Sequence, residues 1–223
     1  MTSDVPPLLP LVLAAPSGTG KTTIARSLVD GSDRFVFSVS ATTRPRREHE
    51  RDGVDYHFLS TEAFQAMRDG GELAEWAEVH GYLYGTPRSA LREPASRGEQ
   101  VVLDIDVQGA RQLKEAVPDA LLVFIIPPSV DVLVERLRGR GTERESEVLR
   151  RLTNARDELA AAVEFDFVIV NESLEEAVAE VSDIALGGGG GHPREADEVA
   201  DFVAVLGSNI DLLIEREFTE GQN

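Results

Sequence analysis

Three groups of residues carry charges and hydroxyls at spacings suited to phosphate chemistry. The first is Ala15-Pro16-Ser17-Gly18-Thr19-Gly20-Lys21-Thr22, followed by Thr23. Gly18 and Gly20 let backbone N–H groups turn inward and approach an oligophosphate closely. Lys21 can reach terminal phosphates as a point charge, and the Thr22 hydroxyl is placed to bind Mg²⁺. The usual pattern opens on glycine, where this chain has Ala15. The second group, Arg44, Arg47, Glu50, Gly53 and Tyr56, recurs every three residues around Pro45. Two arginines and a tyrosine hydroxyl aimed at one point would hold a phosphomonoester, with Glu50 steadying the arginine forks. The bland alternative is a solvated charged loop, since residues 44–52 hold four arginines and three acids. The third group is the basic run Arg136-Leu137-Arg138-Gly139-Arg140, with Arg150-Arg151 beyond it. An ordinary solvated helix is its alternative.

These groups need elements to hold them. The apolar run Leu8–Ala14, broken only by Pro10, predicts a strand before the loop, and Thr23–Val29 predicts a helix after it. The positive end of that helix, near Lys21, adds to anion binding. Phe35–Phe37 and Asp55–Ser60 read as strands, Thr61–Arg68 as a short helix, and Glu72–Val79 as a strand. Val101–Asp106 is a buried strand ending in acids. An aspartate there, in a phosphate-loop protein, suits the Mg²⁺ side, and Asp104 is the candidate, through a bound water. Asp106 fits a helix cap better. Leu121–Ile126 is the most apolar strand and is expected to be central. A helix from Ser129 to Leu137, a last strand Phe165–Val170 and a Ser173/Glu176 capping box for a helix to about Ala185 complete the pattern. This order is α/β.

Composition narrows the reading. The chain has 223 residues, 42% hydrophobic, enough for one α/β domain with a real core. It has no cysteine, which excludes disulfide and thiolate chemistry. His49, His57, His80 and His192 show no metal-ligand spacing. No apolar run approaches the roughly 20 residues of a membrane span. The N-terminus carries Asp4 and no basic cluster, so a signal peptide is not expected and a cytoplasmic location is. A net charge of −18 argues against nucleic-acid and anionic-membrane partners. An anionic small ligand therefore needs local arginines and a cation. Lys21 and Lys114 are the only lysines beside twenty arginines. Lysine thus persists where a phosphate loop wants it, although compositional bias alone would give the same count.

Thr42-Thr43-Arg44-Pro45-Arg46-Arg47-Glu48-His49-Glu50-Arg51-Asp52-Gly53-Val54-Asp55-Tyr56-His57-Phe58 closely resembles the guanylate kinase signature. The phosphate loop resembles that family too, which tolerates alanine at its first position. His49 stands where the family often has glycine, which bears on loop conformation and removes no ligand. The resemblance covers about residues 8–186. It implies a three-layer P-loop kinase with a parallel central sheet, a small mixed α/β GMP-binding lobe and a helical lid. The kinase domain would span 1–186, with core 8–40 and 99–186, lobe 41–98 and lid about 138–151. It further implies that Glu75 accepts hydrogen bonds from guanine N1–H and the 2-amino group. Ser40 and Thr86 would lie near the base, Asp106 on the nucleoside side, and Tyr56 and Tyr84 at the acceptor phosphate with Arg44 and Arg47. Arg140 and Arg151 would reach the transferring phosphates, and Asn171 the adenine edge. Leu103-Asp104-Ile105-Asp106-Val107-Gln108-Gly109 matches the family's motif intact. Trp76 is expected in the core of the lobe. The implied reaction is ATP-dependent phosphorylation of GMP, and also of dGMP, with Mg²⁺.

Two rivals share the fold. A ribose-phosphate kinase would have no use for Glu75 or the Ser40 and Thr86 hydroxyls. A non-catalytic guanylate-kinase-like binding module would be expected to lose Lys21 or the lid arginines. Beyond the family span, 187–193 is a glycine-rich linker and 194–223 an acidic tail of net charge −6. Val199, Val203, Leu206, Ile210 and Leu213 form a heptad-like stripe there, expected to break at Gly207-Ser208-Asn209 into two helices. The tail either packs on the core or serves self-association.

Overall fold

The structure is a computed structural model describing residues 9–79, 81–139, 145–187 and 196–216. Arg140, His80, His192 and most of the glycine linker lie outside these residues. Nine strands and eight helices are described. They are β1 (Leu11–Ala14), α1 (Lys21–Gly31), β2 (Phe35–Phe37), β3 (Ala41–Thr42), β4 (His57–Phe58), α2 (Thr61–Asp69), β5 (Leu73–Val79), β6 (Tyr82–Pro87), α3 (Arg88–Ser96), β7 (Gln100–Asp104), α4 (Val107–Ala116), β8 (Leu121–Ile126), α5 (Val130–Arg138), α6 (Glu145–Leu159), β9 (Phe167–Val170), α7 (Leu174–Ala185) and α8 (Ala196–Ile214). A five-stranded sheet has the order β2-β7-β1-β8-β9, and a four-stranded sheet the order β4-β3-β6-β5. β2 pairs parallel to β7 and β8 parallel to β9, as helical crossovers require.

The chain divides into two compact units, and the boundary falls inside β1. One holds Ala25–Leu121 with the chain up to Val12. Within it, β3, β5 and β6 form an antiparallel set and β4 pairs parallel to β3. Ala41, Phe64 and Leu73 make the buried centre of this smaller sheet, with Leu59, Met67 and Leu83 packed around them. The other unit holds Leu13–Ile24 and the chain from Leu122 onward. Its core brings Leu133 and Leu137 of α5, Leu152 and Leu159 of α6, and the inner residues of β8 to near-zero exposure.

Short oxygen-bearing side chains start four of the helices. Ser60, Asp106, Ser129 and Ser173 each accept a backbone N–H of the first turn of α2, α4, α5 and α7, which satisfies an otherwise orphaned donor. The Ser173 hydroxyl also donates to the Glu176 carboxylate at 2.8 Å, in the expected capping box.

Four expectations change. β8 is interior but not central, because β1 takes the middle position. Apolar character reports burial on both faces, not rank within the sheet. The Asp55–Ser60 strand shrinks to His57–Phe58, since Gly53, Val54 and Asp55 form turns onto Arg51 and Tyr56. Trp76 is 36% exposed rather than in the lobe core, and the Arg68 guanidinium lies 5.2 Å from its ring centroid. The tail forms one continuous helix, α8, through Gly207-Ser208-Asn209. Val199, Leu206 and Ile210 are buried there, and α8 packs on α5, α6 and the 3-10 turn Ala160–Glu164. Arg156 of α6 pairs with Asp211 of α8 through two bonds of 3.1 Å. Helix packing thus outweighs the glycine penalty of about 1 kcal/mol.

A Cβ at Gly207 would meet nothing within 4 Å. Gly207→Ala should therefore raise stability by about 1 kcal/mol. Ile210→Ala, at a fully buried position, should lower it by about 2–5 kcal/mol. Thermal melts of both variants check this, and opposite signs are expected.

Candidate functional site

The phosphate loop leaves β1 at Ala14 and ends where α1 starts at Lys21. Ala15 and Thr19 are buried within it, at 9% and 1% exposure. Gly18 and Gly20 have φ of 88° and 94°, a region that favours glycine. Thr19 closes the loop on itself, its hydroxyl donating to the Pro16 carbonyl at 2.8 Å and its N–H to the same oxygen at 3.3 Å. Lys21, Thr22 and Thr23 form the first turn of α1, and the Ile24 N–H donates to the Gly20 carbonyl. The first-turn N–H groups of that helix are the ones an anion can use.

Three side chains from β9, α5 and α6 brace the loop. Asn171 follows β9 and is 4% exposed. Its Nδ2 donates to the Thr19 carbonyl at 2.6 Å. Arg136, in the last turn of α5, donates to the same carbonyl at 3.2 Å and to the Asn171 carbonyl at 3.1 Å. Arg151 of α6 donates to the Ser17 hydroxyl from Nε at 3.2 Å and from an Nη at 3.0 Å. A Cβ at Gly20 would sit 2.7 Å from Asn171 Nδ2, and one at Gly18 the same distance from Leu137 Cδ2. Both glycines are therefore required by close approach as well as by φ. From the sequence Arg136 stands only within the basic run 136–140, with no role of its own.

The second constellation lies on the smaller sheet. Arg44 and Glu50 form a bidentate pair, with bonds of 3.0 and 2.6 Å. Glu50 also accepts the Arg47 N–H at 2.8 Å, and its own carbonyl accepts from the Arg46 guanidinium at 2.7 Å. The Glu50 carboxylate thus steadies one arginine fork, that of Arg44, and holds Arg47 by its backbone. The Arg44 guanidinium lies 5.4 Å from the Tyr56 ring centroid, and Tyr56 and Tyr84 meet edge to face at 6.0 Å. Arg44, Tyr56 and Tyr84 are therefore together, whereas Arg47 is exposed. The Arg44 hydrogen bonds, with the Arg47 N–H, hold the Glu50 carboxyl down at about 2. Glu50 in turn raises the Arg44 guanidinium, and burial pushes the Tyr56 hydroxyl up.

Glu75 and Thr86 are opposite one another in the β5–β6 register. A register shift between Leu73 and Glu75 breaks strict alternation, and such irregularities re-aim side chains near sites. Glu75 is 5% exposed and Thr86 fully buried. The Thr86 hydroxyl donates to Glu75 Oε1 at 2.6 Å. Burial raises the Glu75 carboxyl to about 7, with Asp106 adding to the rise and the Thr86 hydroxyl opposing it. Asp106 caps α4, accepting the Gly109 N–H at 2.7 Å. Asp104 ends β7, half-buried, and Ser40 precedes β3, its carbonyl accepting the His57 N–H.

A strand-loop-helix phosphate cradle on a parallel α/β sheet defines a P-loop nucleotide-binding protein. The particular family comes from comparison. Residues 8–186 match the guanylate kinase family. A guanylate kinase of Nitratidesulfovibrio vulgaris is 55% identical over 171 residues, covering 77% of this chain and 83% of that one. A guanylate kinase of Thermotoga maritima is 46% identical over 191 residues, covering 86% and 92%. The crystal structure of guanylate kinase from Anaplasma phagocytophilum superposes with a TM-score of 0.65 at 34% identity, covering 86% and 92%. The chain belongs to the guanylate kinase family.

The Glu50 carboxyl is held low in the folded state, so its stabilisation is complete above its ordinary value of 4.5 and is lost as pH falls through that value toward about 2. The loss in melting temperature between pH 7 and pH 3 should therefore be smaller in Glu50→Gln than in the parent chain.

Proposed function

We infer that the chain transfers the terminal phosphoryl group of ATP to GMP, giving ADP and GDP, and accepts dGMP in the same way. The observation that carries the choice of acceptor is the buried Glu75 carboxylate beside Thr86. Guanine presents two adjacent donors, N1–H and the 2-amino group, to which an ionised carboxylate offers two acceptors. Adenine presents no such pair. Arg44, Arg47, Tyr56 and Tyr84 bind the acceptor phosphate, with Glu50 holding Arg44 in place. Ser40 and Asp106 line the nucleoside. The loop from Ala15 to Thr23 binds ATP, with Lys21 at its terminal phosphates and Asn171 toward the adenine.

Phosphoryl transfer spreads negative charge over the equatorial oxygens, so positioned cations supply most of the catalysis. Lys21, Arg44 and Arg151 do this, and so does Arg140, which lies outside the described residues. The acceptor is already an anion, so no general base is obligatory. The donor types fit Mg²⁺, which takes oxygen ligands: Thr22 would offer a hydroxyl and Asp104 a carboxylate through water. Among the described residues no group of three or more His, Cys, Asp or Glu could hold a metal by itself. Mg²⁺ is suited to that arrangement, because it commonly keeps waters and takes its other ligands from substrate phosphates. When bound it would neutralise phosphate charge.

The reaction suits a cytoplasmic protein, and no described helix is long and apolar enough to cross a membrane. The net charge of −18 still disfavours nucleic acid. Self-association through the tail would have to use the outer face of α8, where Val205 and Leu212 are exposed.

The direct test is ADP release with Mg-ATP and, separately, GMP, dGMP, AMP, UMP and ribose 1,5-bisphosphate. Turnover is expected with GMP and dGMP alone, lost in Lys21→Ala and relaxed or lost in Glu75→Ala. No turnover with any acceptor would reject the enzyme reading. The pH dependence offers a second check. A carboxyl held at about 7 in the folded chain is half protonated at neutral pH. Protonation removes an acceptor, so kcat/KM for GMP should fall as pH drops below about 7. Glu75→Gln should abolish that limb. A raised folded value also means that ionised Glu75 opposes folding as pH rises through about 7. Glu75→Gln should therefore raise the melting temperature of the ligand-free protein more at pH 8 than at pH 6.

A further inference from the structure

Glu75 sits on β5, which is an edge strand of its sheet. Its carboxylate is held by more than its partner across the strands. The first turns of α4 lie against it. Gly109 is buried, and a Cβ built there would come within 2.7 Å of Glu75 Oε2 and 3.3 Å of its Cδ. Real Cβ atoms essentially never approach to 2.7 Å, so the carboxylate occupies space that a side chain at position 109 would need. One turn further along α4, the Gln112 carboxamide reaches the backbone of the next residue of β5. It accepts the Trp76 N–H at 3.2 Å and donates to the Trp76 carbonyl at 2.7 Å. A carboxamide carries one acceptor and a donor side by side, so Gln112 pairs with Trp76 as a neighbouring strand would.

We propose that Gly109 and Gln112 are positioning residues for purine selectivity, fixing where the Glu75 carboxylate stands. Gly109 sets the depth of the carboxylate by leaving a gap, and Gln112 sets the height of β5 by clamping its main chain. Neither touches the nucleotide in this scheme, and both act through Glu75. The Asp106 cap ties the same Gly109 N–H at 2.7 Å, so helix start, gap and carboxylate move together. The inference rests on the assignment of Glu75 to guanine.

The informative ratio is kcat/KM for GMP over that for inosine monophosphate, which keeps N1–H and lacks the 2-amino group. Gly109→Ala and Gln112→Ala should each lower this ratio, chiefly by raising KM for GMP. About tenfold is expected, since misplacing a group by about 1 Å can cost two orders of magnitude. KM for ATP should stay within about twofold, because neither residue is assigned to the ATP site and mutations at sites without shared partners act independently. Gln112→Glu keeps the size and one acceptor but loses the donor to the Trp76 carbonyl, and should resemble Gln112→Ala. Glu75→Gln is run beside them. If it leaves the GMP preference intact, the assignment of Glu75 itself fails. If it lowers the preference while Gly109→Ala and Gln112→Ala leave the ratio unchanged, the assignment stands and the positioning role is overturned. Equal losses in KM for ATP and GMP would also overturn it, as would a loss of kcat alone, since both indicate general disruption. If Gly109→Ala does not fold, the two variants at the half-buried Gln112 decide the matter.

Discussion

The peptide between Thr19 and Gly20 is the point on which the nucleotide-binding unit depends. A trans peptide is planar, so its carbonyl and N–H point to opposite sides. Asn171 and Arg136 both donate to the Thr19 carbonyl and so fix its direction. The Gly20 N–H is thereby turned the other way, as an anion cradle needs. This flip requires positive φ at Gly20, which is 94°, and a bare Cα beside Asn171. The demand then spreads outward. Asn171 must follow β9, Arg136 must end α5, and Leu137 must pack closely on Gly18. The Thr19 carbonyl is satisfied by side chains brought from residues more than a hundred positions away.

The smaller sheet shows two buried carboxyls driven in opposite directions. Glu50 has a bidentate arginine and a backbone N–H and is held near 2. Glu75 has the hydroxyl and backbone of Thr86 against heavy burial and rises to about 7. The difference lies in how far each is compensated. Glu50 is complete within the protein and acts as a structural anchor for Arg44. Glu75 has no cation against it, so its burial is offset only in part.

Legibility in the sequence followed the range of the interactions. The phosphate loop, β5, β8, α5 and the Ser173 cap were readable because local pattern dictates them. The resemblance across 42–58 and the phosphate loop points to the family from residue types and spacing alone. The contacts of Arg136 and Gln112 were not readable, since each reaches a distant main-chain group without a spacing rule. α3 was missed because Pro94 sits inside it, and proline in a helix usually argues against one. Gly207-Ser208-Asn209 looked like a break, yet the burial of Leu206 and Ile210 on either side holds α8 straight. Trp76 is expected in the core of the lobe, but the centre of the smaller sheet is filled by Phe64 and its neighbours. These misses share a cause: tertiary packing overrode local propensity.

The pairing of Gln112 with Trp76 also bears on what can join the edge of the smaller sheet. An edge strand with open N–H and C=O groups is a template for another chain. β5 is seven residues long and would be such a template. α4 lies along it, and one side-chain amide occupies both main-chain groups at its middle residue. The opposite edge, β4, is only two residues long, too short to recruit a partner strand. At Trp76 the glutamine therefore takes the main-chain donor and acceptor that an added strand would need.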